Sequence, residues 1–111
     1  MTVTVKVLIP AKIAEATQVT QYTANGVTTI IDKFTATNYS ASAATLSVNL
    51  VTASGSAGDA NLITKTKTLQ PAEVYTFPEL VGQVLAPSGF ISTLAGTATS
   101  INIRASGREV S

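Results

Sequence analysis

Short runs in which apolar and polar residues alternate, separated by turn signals about every eight to twelve residues, occupy nearly the whole of this chain. The first run, MTVTVKVLIP, sets Val3, Val5, Val7 and Ile9 on one side and Thr2, Thr4, Lys6 and Leu8 on the other before Pro10 closes it. A period of two is that of a strand, because successive side chains leave a pleated backbone on opposite faces. Threonine occurs 18 times, and its β-branched side chain suits the same geometry.

Further strands are predicted over Gln18–Thr23, Val27–Thr37, Thr45–Val51, Asn61–Leu69, Val74–Phe77, Phe90–Leu94 and Ile101–Ala105, with GREVS as a last extended piece. Asn25-Gly26 has the chemistry of a two-residue hairpin turn, since both residues tolerate positive φ. FTATNYSASAATLSVNLV reads as a second hairpin, two alternating runs around a knot of small polar residues, and ASGSAGDAN as an exposed loop tip. Pro78 followed by Glu79 allows one short helix near 78–85, with proline at its first position. The segment AKIAEA after Pro10 fits either a helical turn or a connector. The expectation is an all-β, single-domain β-sandwich of about eight strands over residues 1–111, jelly-roll or immunoglobulin-like, with 1–10 as a strand-exchange or docking arm.

Residue inventory narrows the chemistry. The chain has no histidine, cysteine or tryptophan, which removes imidazole bases, Ser-His-Asp and Cys-His nucleophiles, and imidazole or thiolate metal sites. Six carboxylates remain, Glu15, Asp32, Asp59, Glu73, Glu79 and Glu109, and a glycosidase needs only two at a suitable separation; none of the six sits in a motif, so they read as solvated acids. Asp59 and Asn61 supply two oxygen donors where calcium needs six to eight. Gly55-Ser-Ala-Gly58 lacks the lysine and the helix of a phosphate loop. Asn38-Tyr39-Ser40 matches the glycosylation sequon but reads as chance without a secretory signal. Tyr22, Tyr39 and Tyr75 read as half-buried sheet tips rather than a sugar platform. No catalytic residue, metal, cofactor or small-molecule substrate is therefore expected.

Surface character points instead to association. Charged residues make up only 12% of the chain against a usual value of about 25%, and the formal charge is +1 with no basic run. That excludes a phosphate-neutralising patch for nucleic acid and weakens the charge repulsion that keeps proteins apart. No apolar stretch approaches the roughly 18 residues of a membrane span, and the start lacks the apolar region of a signal peptide, so the chain is read as made in the cytoplasm. Arg104 and Arg108 flank Gly107 near the C-terminus and are the charged residues expected at a contact, arginine being enriched at interfaces. Thr2, Val3, Val5, Val7 and Ile9 are the expected contacts of the N-terminal arm, through strand addition to a neighbour.

The runs FTATNYSASAATLSVNLVTASGSAGDANLI, LQPAEVYTFPELVGQVLAPSGFIS and TATSINIRASGREV together resemble a group of small virion proteins of tailed bacteriophages, over about Thr28 to Val110. The resemblance implies a β-sandwich structural protein of the particle, without enzymatic activity, that decorates or cements the capsid by binding the major capsid protein as a homo-oligomer. Placement at the neck, tail or fibre, on another tail protein or a host-surface carbohydrate, is the alternative it leaves open. It carries over no catalytic residue, and the first 27 residues depart from it.

Overall fold

The computed structural model describes residues 1–111. It contains nine strands: β1 (Val3–Ile13), β2 (Val19–Thr23), β3 (Thr28–Asn38), β4 (Ala44–Val51), β5 (Leu62–Leu69), β6 (Val74–Tyr75), β7 (Val84–Leu85), β8 (Phe90–Ala95) and β9 (Ile101–Val110). They form two antiparallel sheets. One has the order β1-β9-β3 with β6 and β7 both on the far edge of β3, and the other has the order β2-β8-β4-β5. Strands β6 and β7 meet β3 at opposite ends, at Ala36–Thr37 and at Thr29–Ile30, and so count as one interrupted strand position.

The order has a simple origin. β1 pairs with β9, β2 with β8, β3 with β6 and β7, and β4 with β5, as if the chain were one long antiparallel hairpin whose tip is the segment 52–61. Rolling that hairpin up adds the β3·β9 and β4·β8 pairings and closes two sheets over one core. This is the double Greek key of a jelly roll, the first of the two topologies the strand spacing allowed.

The rolled hairpin changes what the turns do. β3 and β4 lie in opposite sheets, so FTATNYSASAATLSVNLV is an arch across the sandwich and not a hairpin; both edges of β3 are already taken, by β9 and by β6 and β7. The same holds for Asn25-Gly26, which carries the chain from one sheet to the other and is anchored to the 86–89 turn by Ala24 N–H to Gly89 O (2.9 Å) and Ser88 N–H to Ala24 O (2.6 Å). Only the tip 52–61 joins directly paired neighbours of the second sheet. It holds a short 3-10 turn at Asp59–Asn61.

One further expectation is corrected, and one open possibility is decided. Pro10 does not end the first strand: β1 continues to Ile13, because β1 is an edge strand and bulged at this point, where a missing N–H costs no ladder bond. Residues 78–85 form no helix. Gly82, at φ +85°, turns the chain so that Gly82 N–H and Gln83 O both bond Ile31, beside the bulge at Asp32 in β3. Docking on β3 wins over helical propensity there, since it buries Phe77 and Leu80 completely.

The core lies between the sheets. From the first sheet come Ile9, Ile31, Phe34, Ile103 and Ala105, and from the second Leu46, Val48, Leu69 and Ile91. Phe77 closes the side between β5 and β6, edge-on to Phe34 at 4.9 Å and to Tyr75 at 4.6 Å between centroids. Each fully buried side chain of this size contributes about 1.5–3 kcal/mol.

Candidate functional site

The alternation along β9 decides which residues face outward from the first sheet. Ile101, Ile103, Ala105 and Gly107 are buried, so Asn102, Arg104, Ser106, Arg108 and Val110 face away from the core. Register then places Val3 and Thr28 beside Val110, Val5 and Ile30 beside Arg108, and Val84 beside Ile30. Val3, Val5 and Val7 thus stand in one exposed row along the sheet edge, Val5 at 83% exposure, and Val84, at 57%, stands across the same face. Monomers keep such contiguous apolar area small, and a larger patch marks a contact surface.

Charge adjoins the valines. Arg108 donates from Nε (3.0 Å) and Nη2 (2.8 Å) to the two carboxylate oxygens of Asp32, a bidentate pair across the outer face. Asp32 reaches it because the β3 bulge between Ile31 and Lys33 inserts one extra residue opposite β9. Beyond the pair, Lys33, Thr35, Arg104 and Ser106 line a shallow depression of about 220 Å³. Neither Lys33 nor Arg104 forms an ion pair. The face therefore offers an apolar end and two free cations, the combination that receives a partner with apolar contacts and a carboxylate.

The residues expected from sequence divide accordingly. Val3, Val5, Val7, Arg104 and Arg108 share this outer face. Ile9 does not: the bulge between Val7 and Ile9 reverses the alternation, so Ile9 is fully buried and Leu8 nearly so. Thr2 pairs by its main chain with Ser111, and its side chain points to the other side of the sheet from Val3. Lys33 and Val84 belong to the face and were not expected there, because their orientation depends on the β3 bulge and on a two-residue strand too short to carry a pattern, and Ile30 and Val110 join them through the β3·β9 register.

The opposite outer face, on the second sheet, is built from amides and hydroxyls. Gln18 Nε2 donates to Ser92 Oγ (2.7 Å), and Asn49 Nδ2 donates to Asn61 Oδ1 (2.7 Å) and to Gly58 O (3.0 Å). Asn61 in turn donates from Nδ2 to Ser56 O (2.8 Å) and accepts from Gly58 N–H (3.0 Å). Asn61 is thus the organiser of the hairpin tip, and Asp59 beside it is exposed, 4.0 Å from Lys65 Nζ. A cleft of about 180 Å³ opens between the tip and the sheet, floored by Leu62 and Leu94. An asparagine in the middle of LSVNL is unusual in a strand, and that was the one available signal.

Five of the six carboxylates accept hydrogen bonds, and Asp59 has only its 4.0 Å approach to Lys65. Glu15 accepts from Lys12 and Gln21 (both 2.9 Å), Asp32 from Arg108, Glu73 from Gln70 N–H (2.7 Å), Glu79 from Tyr75 (2.7 Å) and Thr64, and Glu109 from Tyr22 and Lys6. The tyrosines make no shared platform: Tyr22 is buried with its hydroxyl between Thr29 and Glu109, Tyr75 meets Phe77 edge-on under Lys67, and Tyr39 alone is exposed. Asn38, of the sequon, is buried with its side-chain amide fully bonded, which closes it to a glycosyltransferase in the folded chain.

These contacts set the pH response. The Tyr22 hydrogen bond, with Lys6, holds Glu109 below its ordinary 4.5 against a smaller effect of burial. The Gln21 and Lys12 bonds do the same for Glu15. At Glu79 burial pushes upward, but the Thr64 and Tyr75 bonds, a backbone hydrogen bond and the Lys67 charge together outweigh it and the carboxyl is lowered. Between the native and ordinary values the unfolded chain binds more protons. Stability is therefore complete above about pH 5 and declines as pH falls through 4.5 and below. Tyr22 responds at the other end: burial first, then its bond to Glu109, pushes it up to about 12, so its contribution is whole below pH 10 and is lost as pH rises toward 12. Urea midpoints measured from about pH 3 to 8 are expected to be flat above 5 and to fall below it. A midpoint that rises on acidification contradicts this account.

The chain matches no protein-family model, no curated protein and no solved structure.

Proposed function

We propose that this protein is a structural component of a tailed-phage virion, a decoration or cement protein that stabilises the head by binding the major capsid protein through the outer face of the β1-β9-β3 sheet. The observation that carries the reading is the exposed row Val3, Val5 and Val7 with Val84, set beside the unpaired Arg104 and Lys33 on a rigid sheet. Apolar side chains held on a sheet lose little entropy on contact, and the two cations supply register. The sequence resemblance supports the virion setting, and the sparse charge suits a protein packed against many neighbours.

Copy number per particle tests the setting: hundreds of copies on heads lacking tails is the expected count, and a low multiple of five, six or twelve places the protein at the neck, tail or fibre. Val5→Asp combined with Arg104→Glu is expected to lower incorporation at least tenfold while leaving the circular dichroism spectrum unchanged, since both side chains are exposed. Unchanged incorporation rejects this face. The second reading, a tail or fibre module for host-surface carbohydrate, is favoured by the cleft where Gln18, Asn49 and Asp59 stand around Leu62 and Leu94. Binding of the isolated protein to host glycans, lost in Gln18→Ala, supports that reading instead.

A further inference from the structure

The main chain of β1 carries a signal of its own, independent of any virion partner. Thr2 N–H donates to Ser111 O and Ser111 N–H to Thr2 O, both at 2.9 Å, so this pair exchanges both hydrogen bonds. The register Val3–Val110 runs without interruption to Val7–Ser106. In an antiparallel ladder bonded and non-bonded pairs alternate, so Thr4 and Lys6 also bond β9, whereas Val3, Val5 and Val7 direct their N–H and C=O groups away from it. Since β1 is the end strand of its sheet, those groups lie on an open edge. Both faces of residues 3–7 are exposed as well, so nothing overlies the edge.

Proteins commonly protect such an edge with proline, bulges and lysine. The second half of β1 has all three, in Pro10, the bulges at Val7/Ile9 and Ile9/Lys12, and Lys12. The first half is regular and carries only Lys6. The protected half thus bounds an unprotected segment of Val3 to Val7.

We infer that this segment pairs with the same segment of a second copy, antiparallel about a two-fold axis through Val5. The segment is self-complementary in the required sense. With Val5 facing Val5 of the other copy, Val3 faces Val7 and Val7 faces Val3, and every outward-directed group finds a partner. The same register sets Lys6 opposite Thr4 of the second copy, whose own neighbour on β9 is Glu109. Lys6, already 3.3 Å from its own Glu109, then lies about two strand spacings, roughly 10 Å between main chains, from the second carboxylate, within reach of the two side chains. The valine rows of the two copies merge on the outer face. Because the contact is isologous it closes as a dimer and leaves no free β1 edge for a third copy. A register shifted by one residue opposes the groups bonded to β9 and satisfies none of them.

The chain has no cysteine, so single-cysteine variants report the register directly. Under mild oxidation Val5→Cys is expected to cross-link to a dimer through residues directly opposite across the axis, and Thr4→Cys, which faces Lys6, is expected to cross-link at least tenfold more slowly. In sedimentation equilibrium the unmodified chain is expected to dimerise reversibly. Val5→Pro, which removes an outward N–H that its own sheet does not use, is expected to weaken dimerisation at least tenfold with unchanged circular dichroism. Amide exchange gives a third readout that needs no substitution: Val3, Val5 and Val7 become protected as concentration rises, and Thr4 and Lys6 are protected at all concentrations. A chain that stays monomeric at 100 µM or higher, with Val3, Val5 and Val7 amides exchanging freely, overturns the inference, as does equal cross-linking of the two cysteine variants. Particle incorporation is a separate measurement, so a monomer that still decorates heads removes the dimer and keeps the virion reading, and a dimer that never associates with particles does the reverse.

Discussion

Replacing Gly107 by alanine is expected to destabilise the fold by about 3 kcal/mol or more, against a total of about 5–15 kcal/mol for a domain of this kind. Gly107 lies in β9, the strand between β1 and β3, opposite Lys6 on one side and Ile31 on the other. A Cβ there stands 2.2 Å from the main-chain oxygen of Ile30 and 3.0 Å from Leu8 Cδ1. Leu8 can rotate, but the carbonyl belongs to β3 and moves only with the ladder. The penalty therefore falls on the β3·β9 pairing, which rolling up the hairpin adds. Thermal unfolding is the measurement, with an expected loss of about 10–20 °C. Leu8→Ala added to Gly107→Ala is expected to recover little, because the closer contact is with backbone. Full recovery by the second substitution assigns the clash to Leu8 and refutes this explanation. Ser106→Ala, one residue away on the outer face, is the matched control and is expected to change stability by less than about 0.5 kcal/mol.

Asn38→Ala is expected to cost about 3 kcal/mol for a different reason. Asn38 ends β3 at the arch to β4 and is fully buried. Its Nδ2 donates to Ser42 O and Leu69 O, both at 2.9 Å, and its Oδ1 accepts from Ser40 N–H (2.9 Å) and Ser40 Oγ (2.7 Å). Its main chain receives Ala72 N–H (2.8 Å) and donates to Glu73 O (3.0 Å). One residue thus ties the arch to the turn after β5. Truncation removes two donated bonds worth about 1 kcal/mol each and strands the buried carbonyl of Leu69, for a further 1–3 kcal/mol. Asn38→Asp separates donors from acceptors: it keeps the Ser40 contacts and sets a carboxylate against two carbonyls, so it is expected to be no better than alanine at pH 7. Chemical denaturation of both variants checks the ordering. Asn38→Asp at wild-type stability shows that the donated bonds contribute nothing.

Gly107 and Asn38 differ in how visible they are before the fold is known. Asn38 stands at the foot of a strand before Tyr-Ser-Ala-Ser, where a turn-forming residue is easily recognised; that it bonds Leu69, 31 residues away, is not. Gly107 opens GREVS, which reads as a separate extended piece, yet β9 runs through it unbroken from Ile101 to Val110. Its need for a missing side chain comes wholly from the position of Ile30. The outer face of the β1-β9-β3 sheet divides in the same way. The alternation of Val3, Val5 and Val7 was plain, and so was the isolation of Arg104 and Arg108. Their coming together depends on β1 pairing with β9, which brings residues about 100 positions apart into one register.

Most strands lie within one or two residues of where alternation and turn signals predicted them, because period two and β-branched residues are local properties that any packing must respect. The inventory of side chains, with no histidine or cysteine, is local in the same sense. Everything that depends on which strand lies beside which was decided by tertiary structure: that the two apparent hairpins are arches, that Pro10 lies within a strand, that residues 78–85 plug the core in place of a helix, and that Ile9 turns inward from its valine row. The physical reason is that a strand satisfies only half its main-chain groups with each neighbour, and a single sequence does not say which neighbours those are. Burial then follows register, and a one-residue bulge is enough to move a side chain from the outer face to the core.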